Sequence, residues 1–273
     1  MSQAQTRIEA IYGMRLPSDQ HAPFFPRRTK ALFAFTILGA LICAAYSFDG
    51  LAMVLALFLL ILFGQIANPM IRAARYRASP RVAEFLFAVP FVGFFLPFYI
   101  GLFWVDLPLS SATWFVIAGL FAGLMIRCSE FSKVARLVRA IWGRPNNDVP
   151  GMRVVFHGYQ TLMSAISQEV FYRGVVFAFL AGAPFAAIAV VSTILFVSEH
   201  AANRWAHHKY GVRDYLRLAA LSLFWCGLTA ASGSLLPALL SHVAYNAFAQ
   251  IPLCTAWLRN TTARHHDAGR VSQ

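Results

Sequence analysis

The chain has 273 residues, of which 59% are apolar and only 12% charged. Soluble domains carry about 25% charged residues, so a water-soluble globular fold is excluded and a polytopic, all-α membrane protein is expected. The net charge of +12 does not point to nucleic acid, because the basic residues sit in short clusters between apolar runs, the pattern of loops held on the cytoplasmic side of a bilayer.

Residues 1–30 are polar and basic, with Arg7, Arg15, Arg27, Arg28 and Lys30, and lack the apolar h-region of a cleavable signal. Apolar runs near the length a membrane crossing needs then predict spans at 31–48, 51–67, 82–105 and 112–126. Pro90 and Pro97 predict a kink in the third. In 127–144, Lys133, Arg136 and Arg139 interleave with Phe131, Val134, Leu137 and Val138. That pattern predicts a basic amphipathic helix lying at the cytoplasmic interface. A Pro- and Asn-rich break at 145–151 precedes the fifth span, 154–180. Further spans are predicted at 185–200, 218–231 and 235–253.

The arginine-rich segments are the N-terminus, 72–81, 127–153, 204–217 and the tail, and the arginine-free turns are 49–50, 106–111, 181–184 and 232–234. They alternate across all eight predicted spans, which places both termini in the cytoplasm. The expected division is a cytoplasmic segment 1–30, a four-span region 31–126, an interfacial helix and linker 127–150, a core 151–255 and a cytoplasmic tail 256–273. Only Lys30, Lys133 and Lys209 among the 23 basic residues are lysines, a hint of a GC-rich genome; a multi-pass protein of a bacterial inner membrane is expected. Cys43, Cys128, Cys226 and Cys254 form no CxxC pair and read as packing residues.

Three apolar spans of the core carry groups that lipid rejects. The fifth has Gln168, Glu169 and Arg173, the sixth ends Phe196-Val-Ser-Glu-His200, and the eighth has His242 and Asn246. Glu169 and Arg173 are four apart and share a helical face, while Gln168 is turned about 100° away. Taken singly, His200 reads as an interhelical hydrogen bonder, while His242 and Asn246 stay open between that role and a site. Together, an acid or amide, two imidazoles and a carboxamide have the parts of a hydrolytic site. HExxH is absent, so zinc has no spacing support, and no metal or other cofactor is expected. Ser241 neighbours His242 but points to another face, and no GxSxG is present. Water activated by a carboxylate and an imidazole, with His and Asn donors for the oxyanion, is what remains.

QEVFYRG, FVSEH and HVAYN resemble, in order and spacing, the EExxxR, FxxxH and HxxxN motifs of the CPBP family. These are the CAAX-processing and bacteriocin-processing (Abi-type) intramembrane glutamic endopeptidases, relatives of the eukaryotic Ras-converting CAAX endopeptidase. The resemblance covers roughly 150–255. It implies that position 168 activates water with His200, that Glu169 and Arg173 support it, and that His242 and Asn246 hold the oxyanion. The expected partners are a peptide or protein substrate and the lipid bilayer. One position departs from the pattern: residue 168 is Gln, and a carboxamide offers no basic oxygen to take a proton from water. The chain is then either a Gln-substituted endopeptidase or a silent relative that binds a peptide or membrane partner in an immunity or scaffold role. A transporter ranks third, since the spans show no inverted repeat.

Overall fold

The computed structural model describes residues 27–78, 101, 103, 105–143, 151–202 and 210–271. Its regular elements are all helical: α1 (Arg27–Ala45), α2 (Asp49–Ala78), α3 (Thr113–Arg127), α4 (Phe131–Gly143), α5 (Gly151–Glu169), α6 (Val176–Phe179), α7 (Phe185–Ala202), α8 (Val212–Ser232), α9 (Leu236–Ala247) and α10 (Ile251–Val271). The expected third span, most of the cytoplasmic segment 1–30 and the break before α5 lie outside the described residues.

The membrane character shows in an inverted surface. Phe35, Leu41, Phe63, Ile117, Phe121 and Ile194 are exposed, while Glu169, Arg173, Glu199, Ser222 and His242 are buried. In water that arrangement is costly on both counts, whereas a bilayer reverses the first term. Val54, Phe58 and Leu62 of α2 share one apolar core with Phe171, Tyr172, Val175, Val176, Phe196 and Trp225.

The expected count of eight spans is not reached among the described residues. Two helices are long and apolar enough to cross a membrane, α7 and α8, or three if α3 and α4 count as one span bent by 70°. The reason lies partly in the site itself. The fifth predicted span carries its polar groups and is broken by a π-helical turn at Val170–Val175. The eighth is a helix of only 12 residues before a 3₁₀ turn at Phe248–Gln250, about 18 Å against a hydrocarbon core of about 30 Å. Beyond it, where no element was predicted, α10 runs 21 residues and packs on α4. The predicted amphipathic helix is α4, set at a sharp angle to α3. Cys226 is buried as expected, but Cys128 is exposed.

α3 and α9 approach each other closely. A Cβ at Gly119 would sit 2.5 Å from the Pro237 carbonyl oxygen, and one at Gly123 would be closer still to that of Ser241. Gly119 and Gly123 form a GxxxG stripe, the device by which membrane helices bring their backbones together. This stripe sets the position of α9, which carries His242 and Asn246.

The two kinds of connection segregate. The arginine-free turns meet: Leu235 N donates to Pro108 O at 2.7 Å and Ser234 Oγ donates to the same oxygen at 3.0 Å. α8 ends at its own turn on Gly233, whose φ of 63° is the left-handed conformation that glycine adopts without strain. The arginine-bearing segments also meet. Arg127 and Arg217 both pair with Glu130, and Arg259 donates to Ile141 O.

Candidate active site

The site is built on α5 and the π turn that follows. All six residues of the turn, Val170–Val175, are buried. A wider turn frees backbone groups that need partners, and Ser192 Oγ of α7 donates to Tyr172 O at 2.9 Å. Such turns occur mostly at functional sites.

Two rows of side chains leave this segment in different directions. Glu169 and Arg173 form the first, with Arg173 Nη1 3.2 Å from Glu169 Oε1 and both side chains fully buried. The fourfold spacing that predicts this pair is confirmed by the contact. Arg173 Nη2 also donates to Ser222 O at 2.9 Å and Ser222 Oγ at 2.8 Å. Its guanidinium lies 5.2 Å from the Phe196 ring centre and 5.4 Å from that of Trp225. Glu169 Oε1 accepts a second bond, from His242 Nδ1 at 2.7 Å. A buried ion pair is tolerated when its remaining hydrogen-bonding capacity is largely used; here Ser222 and His242 use part of it, while Glu169 Oε2 and Arg173 Nε are buried without a hydrogen-bond partner.

His242 is held on its flat side as well. The Trp225 ring stacks on it at 4.0 Å and 15°, and Trp225 Nε1 donates to Ser241 Oγ at 3.1 Å. With Nδ1 donating to a carboxylate, Nε2 is the nitrogen left for a substrate. Ser241, set aside as a nucleophile on the basis of its face, is thus an anchor for Trp225.

Gln168 and Tyr172 form the second row, and both reach Glu199 of α7. Gln168 Nε2 donates to Glu199 Oε2 at 3.3 Å, and Tyr172 Oη donates to the same oxygen at 2.6 Å. Gln168 therefore looks away from the Glu169–Arg173 pair, as its position on the helix predicts. Its bonded partner, however, is Glu199, the neighbour of His200.

His200 Nδ1 lies 2.8 Å from Phe196 O. A carbonyl only accepts, so Nδ1 carries the proton and Nε2 of the neutral ring is a free base in form. The ring sits 4.5 Å from Phe196, whose own ring is 6.2 Å from His242. Phe196 thus lies near both imidazoles. Tyr210, ahead of α8, reaches the far side of His200 at 6.1 Å. Burial, with Tyr245 and Tyr215 nearby, raises the Tyr210 hydroxyl, which stays neutral. Asn246 is half-buried one turn along α9 from His242.

The structure therefore joins Glu169, Arg173 and His242 directly. It links Gln168 to the His200 helix through Glu199, and places Asn246 on the same helix as His242. The sequence patterns assign no role to Ser222, Trp225, Tyr172 or Glu199. Ser222, a hydroxyl within the apolar run 218–231, was the available signal for the first. Among the described residues no three His, Cys, Asp or Glu side chains are grouped so as to hold a metal ion.

A helical, lipid-compatible shell thus surrounds a buried Glu–Arg–His network and a second acid. Residues 150–248 match the family model described as Rce1-like, type II CAAX prenyl endopeptidase, a family of peptidases. The match spans the three motifs and the helices that carry them. Neither the curated proteins nor the solved structures yield a match.

Proposed function

We propose that the chain is an intramembrane endopeptidase that hydrolyses a peptide bond close to the membrane surface, using side chains rather than a metal to activate water. The observation that carries the reading is the buried chain Ser222–Arg173–Glu169–His242. A network of that cost is hard to account for as packing, and it ends on an imidazole whose second nitrogen remains for a substrate. In this reading Gln168 holds the water and His200 Nε2 assists in removing its proton. The water oxygen adds to the scissile carbonyl carbon, and His242 and Asn246 donate to the resulting oxyanion. The proton then passes to the leaving nitrogen as the C–N bond breaks, releasing an amine and a carboxylic acid, whose remaining proton is given up to the amine or to solvent.

The substrate class is a CAAX-like, leader or C-terminal sorting peptide. The contacts among arginine-bearing connections, and between the arginine-free turns 106–111 and 232–234, support a multi-pass arrangement with both termini cytoplasmic; a bacterial inner membrane is the setting this reading takes. Tyr210 and the Arg127–Glu130–Arg217 cluster lie toward the arginine-bearing end, which suits a substrate arriving from the cytoplasm. A second reading, a silent relative that binds a peptide or membrane partner, rests on the carboxamide at position 168.

The test uses the full chain in proteoliposomes with a farnesylated peptide ending in a CAAX sequence, and a leader peptide in parallel. Release of the C-terminal fragment, abolished by His242→Ala and His200→Ala, supports the endopeptidase. Binding without cleavage in both the natural chain and Gln168→Glu supports the silent relative.

A further inference from the structure

We infer that Glu199 supplies the carboxylate that position 168 lacks, so that the acid of the water-activating pair has moved from one helix to its neighbour. This rests on the endopeptidase reading above and names a group within it. Of the carboxylates in the described helices α5, α7, α8 and α9, Glu169 and Glu199 lie in the site and are buried, while Asp214 stands in the first turn of α8. Glu169 is paired with a fully buried guanidinium: its Oε1 accepts from both Arg173 and His242, while its Oε2 is buried without a hydrogen-bond partner. Glu199 faces the other row. Its Oε2 accepts from Gln168 at 3.3 Å and from Tyr172 at 2.6 Å.

The two members of the pair, a carboxylate and a near-isosteric carboxamide, stand 3.3 Å apart on facing helices. The EExxxR pattern places the acid on the α5 side, and this chain places Gln there and an acid opposite. Glu199 is three residues after Phe196 and adjacent to His200, so α7 presents it on the side of the Phe196 ring. The carboxylate takes a proton from water, whose oxygen bonds to the scissile carbonyl carbon. That proton goes to the leaving nitrogen as the C–N bond breaks, which restores the carboxylate. Gln168 keeps the water and the Glu199 head group in register, and Tyr172 fixes the carboxylate from below.

The experiment is a charge-exchange series in the full chain in proteoliposomes, read with the farnesylated CAAX peptide and the leader peptide. Glu199→Gln is expected to lower kcat/KM by about 100-fold or more, the size of a lost general base. It should also remove the acidic limb of the pH profile, with the unfolding temperature nearly unchanged. Gln168→Glu combined with Glu199→Gln restores the acid on the other helix, and is expected to recover activity to within about tenfold and to bring the limb back. Wild-type rates in Glu199→Gln overturn the inference, and so does a double variant that is not rescued. A silent natural chain that becomes active as Gln168→Glu also overturns it while leaving the endopeptidase reading standing. If no member of the series cleaves, both fall.

Discussion

His242 Nδ1 and Glu169 Oε1 lie 2.7 Å apart, although 73 residues separate them along the chain. The same oxygen receives Arg173, so one carboxylate couples the two site helices α5 and α9 and neutralises a fully buried guanidinium. Removing it strands that charge. Glu169→Ala is expected to cost about 3–5 kcal/mol, seen as a large drop in the unfolding temperature in detergent. Glu169→Gln keeps the shape and should fall between the two. A shift of less than a degree in the Ala variant argues that the pair is hydrated and not the buried network described.

Trp225 sets the plane of His242, and Ser241 sets Trp225. Ser241→Ala leaves the indole N–H unpaired in the core, at a cost of about 1–3 kcal/mol. Trp225→Phe keeps an aromatic face without that donor and should be the milder change. Both are expected to slow cleavage through kcat more than through KM, because they loosen an oxyanion donor and not a binding surface. Steady-state kinetics on the farnesylated peptide separate the two parameters.

The approach of α3 to α9 has no spare volume at Gly119 and Gly123. Gly123→Leu is expected to push α9 outward, at about 1–3 kcal/mol for the overpacking, and to abolish cleavage by moving His242 and Asn246 together. Gly182→Ala is the control, since a Cβ there meets no atom within 4 Å. Equal activity in both variants counts against the glycine stripe as the element that places the site.

Glu130 bridges Arg127 and Arg217 and so ties the α3–α4 bend to α8. It is partly open to solvent and lies outside the reacting groups. Glu130→Gln should lower stability by about 1 kcal/mol without altering kcat. The difference between natural chain and variant should shrink in high salt, because screening already weakens an accessible pair. A salt-independent difference points instead to packing at the bend.

Asn246 is half-buried, and removing its amide costs the fold little. Asn246→Ala is expected to reduce kcat by about 100–1,000-fold, the effect of losing one oxyanion donor, with an almost unchanged unfolding temperature. A stability loss as large as the one at Glu169 makes it a structural amide.

Much of this was legible in residues alone. Polar groups in apolar runs marked the three site helices, because ionisable side chains there are too costly to be incidental. The spacing of Glu169 and Arg173 predicted their pairing, and the turn of the helix predicted that Gln168 faces elsewhere. The span count was less legible. Hydropathy measures composition, and α5 and α9 depart from apolar composition and regular length because they carry the site.

The sequence by itself determined the membrane setting, the helical class and the residue types at the site, since hydropathy and helical periodicity act over a few turns. Only the tertiary structure decided which acid faces which partner. Glu199 and His200 are neighbours whose side chains point about 100° apart on a helix, and no local rule says which of them meets the α5 row. The packing of α7 against the π turn places Glu199 on Gln168 and Tyr172. The approach of α9 along Gly119 and Gly123 places His242 on Glu169. Both contacts depend on how helices distant in sequence pack, and local sequence patterns carry no direct record of that.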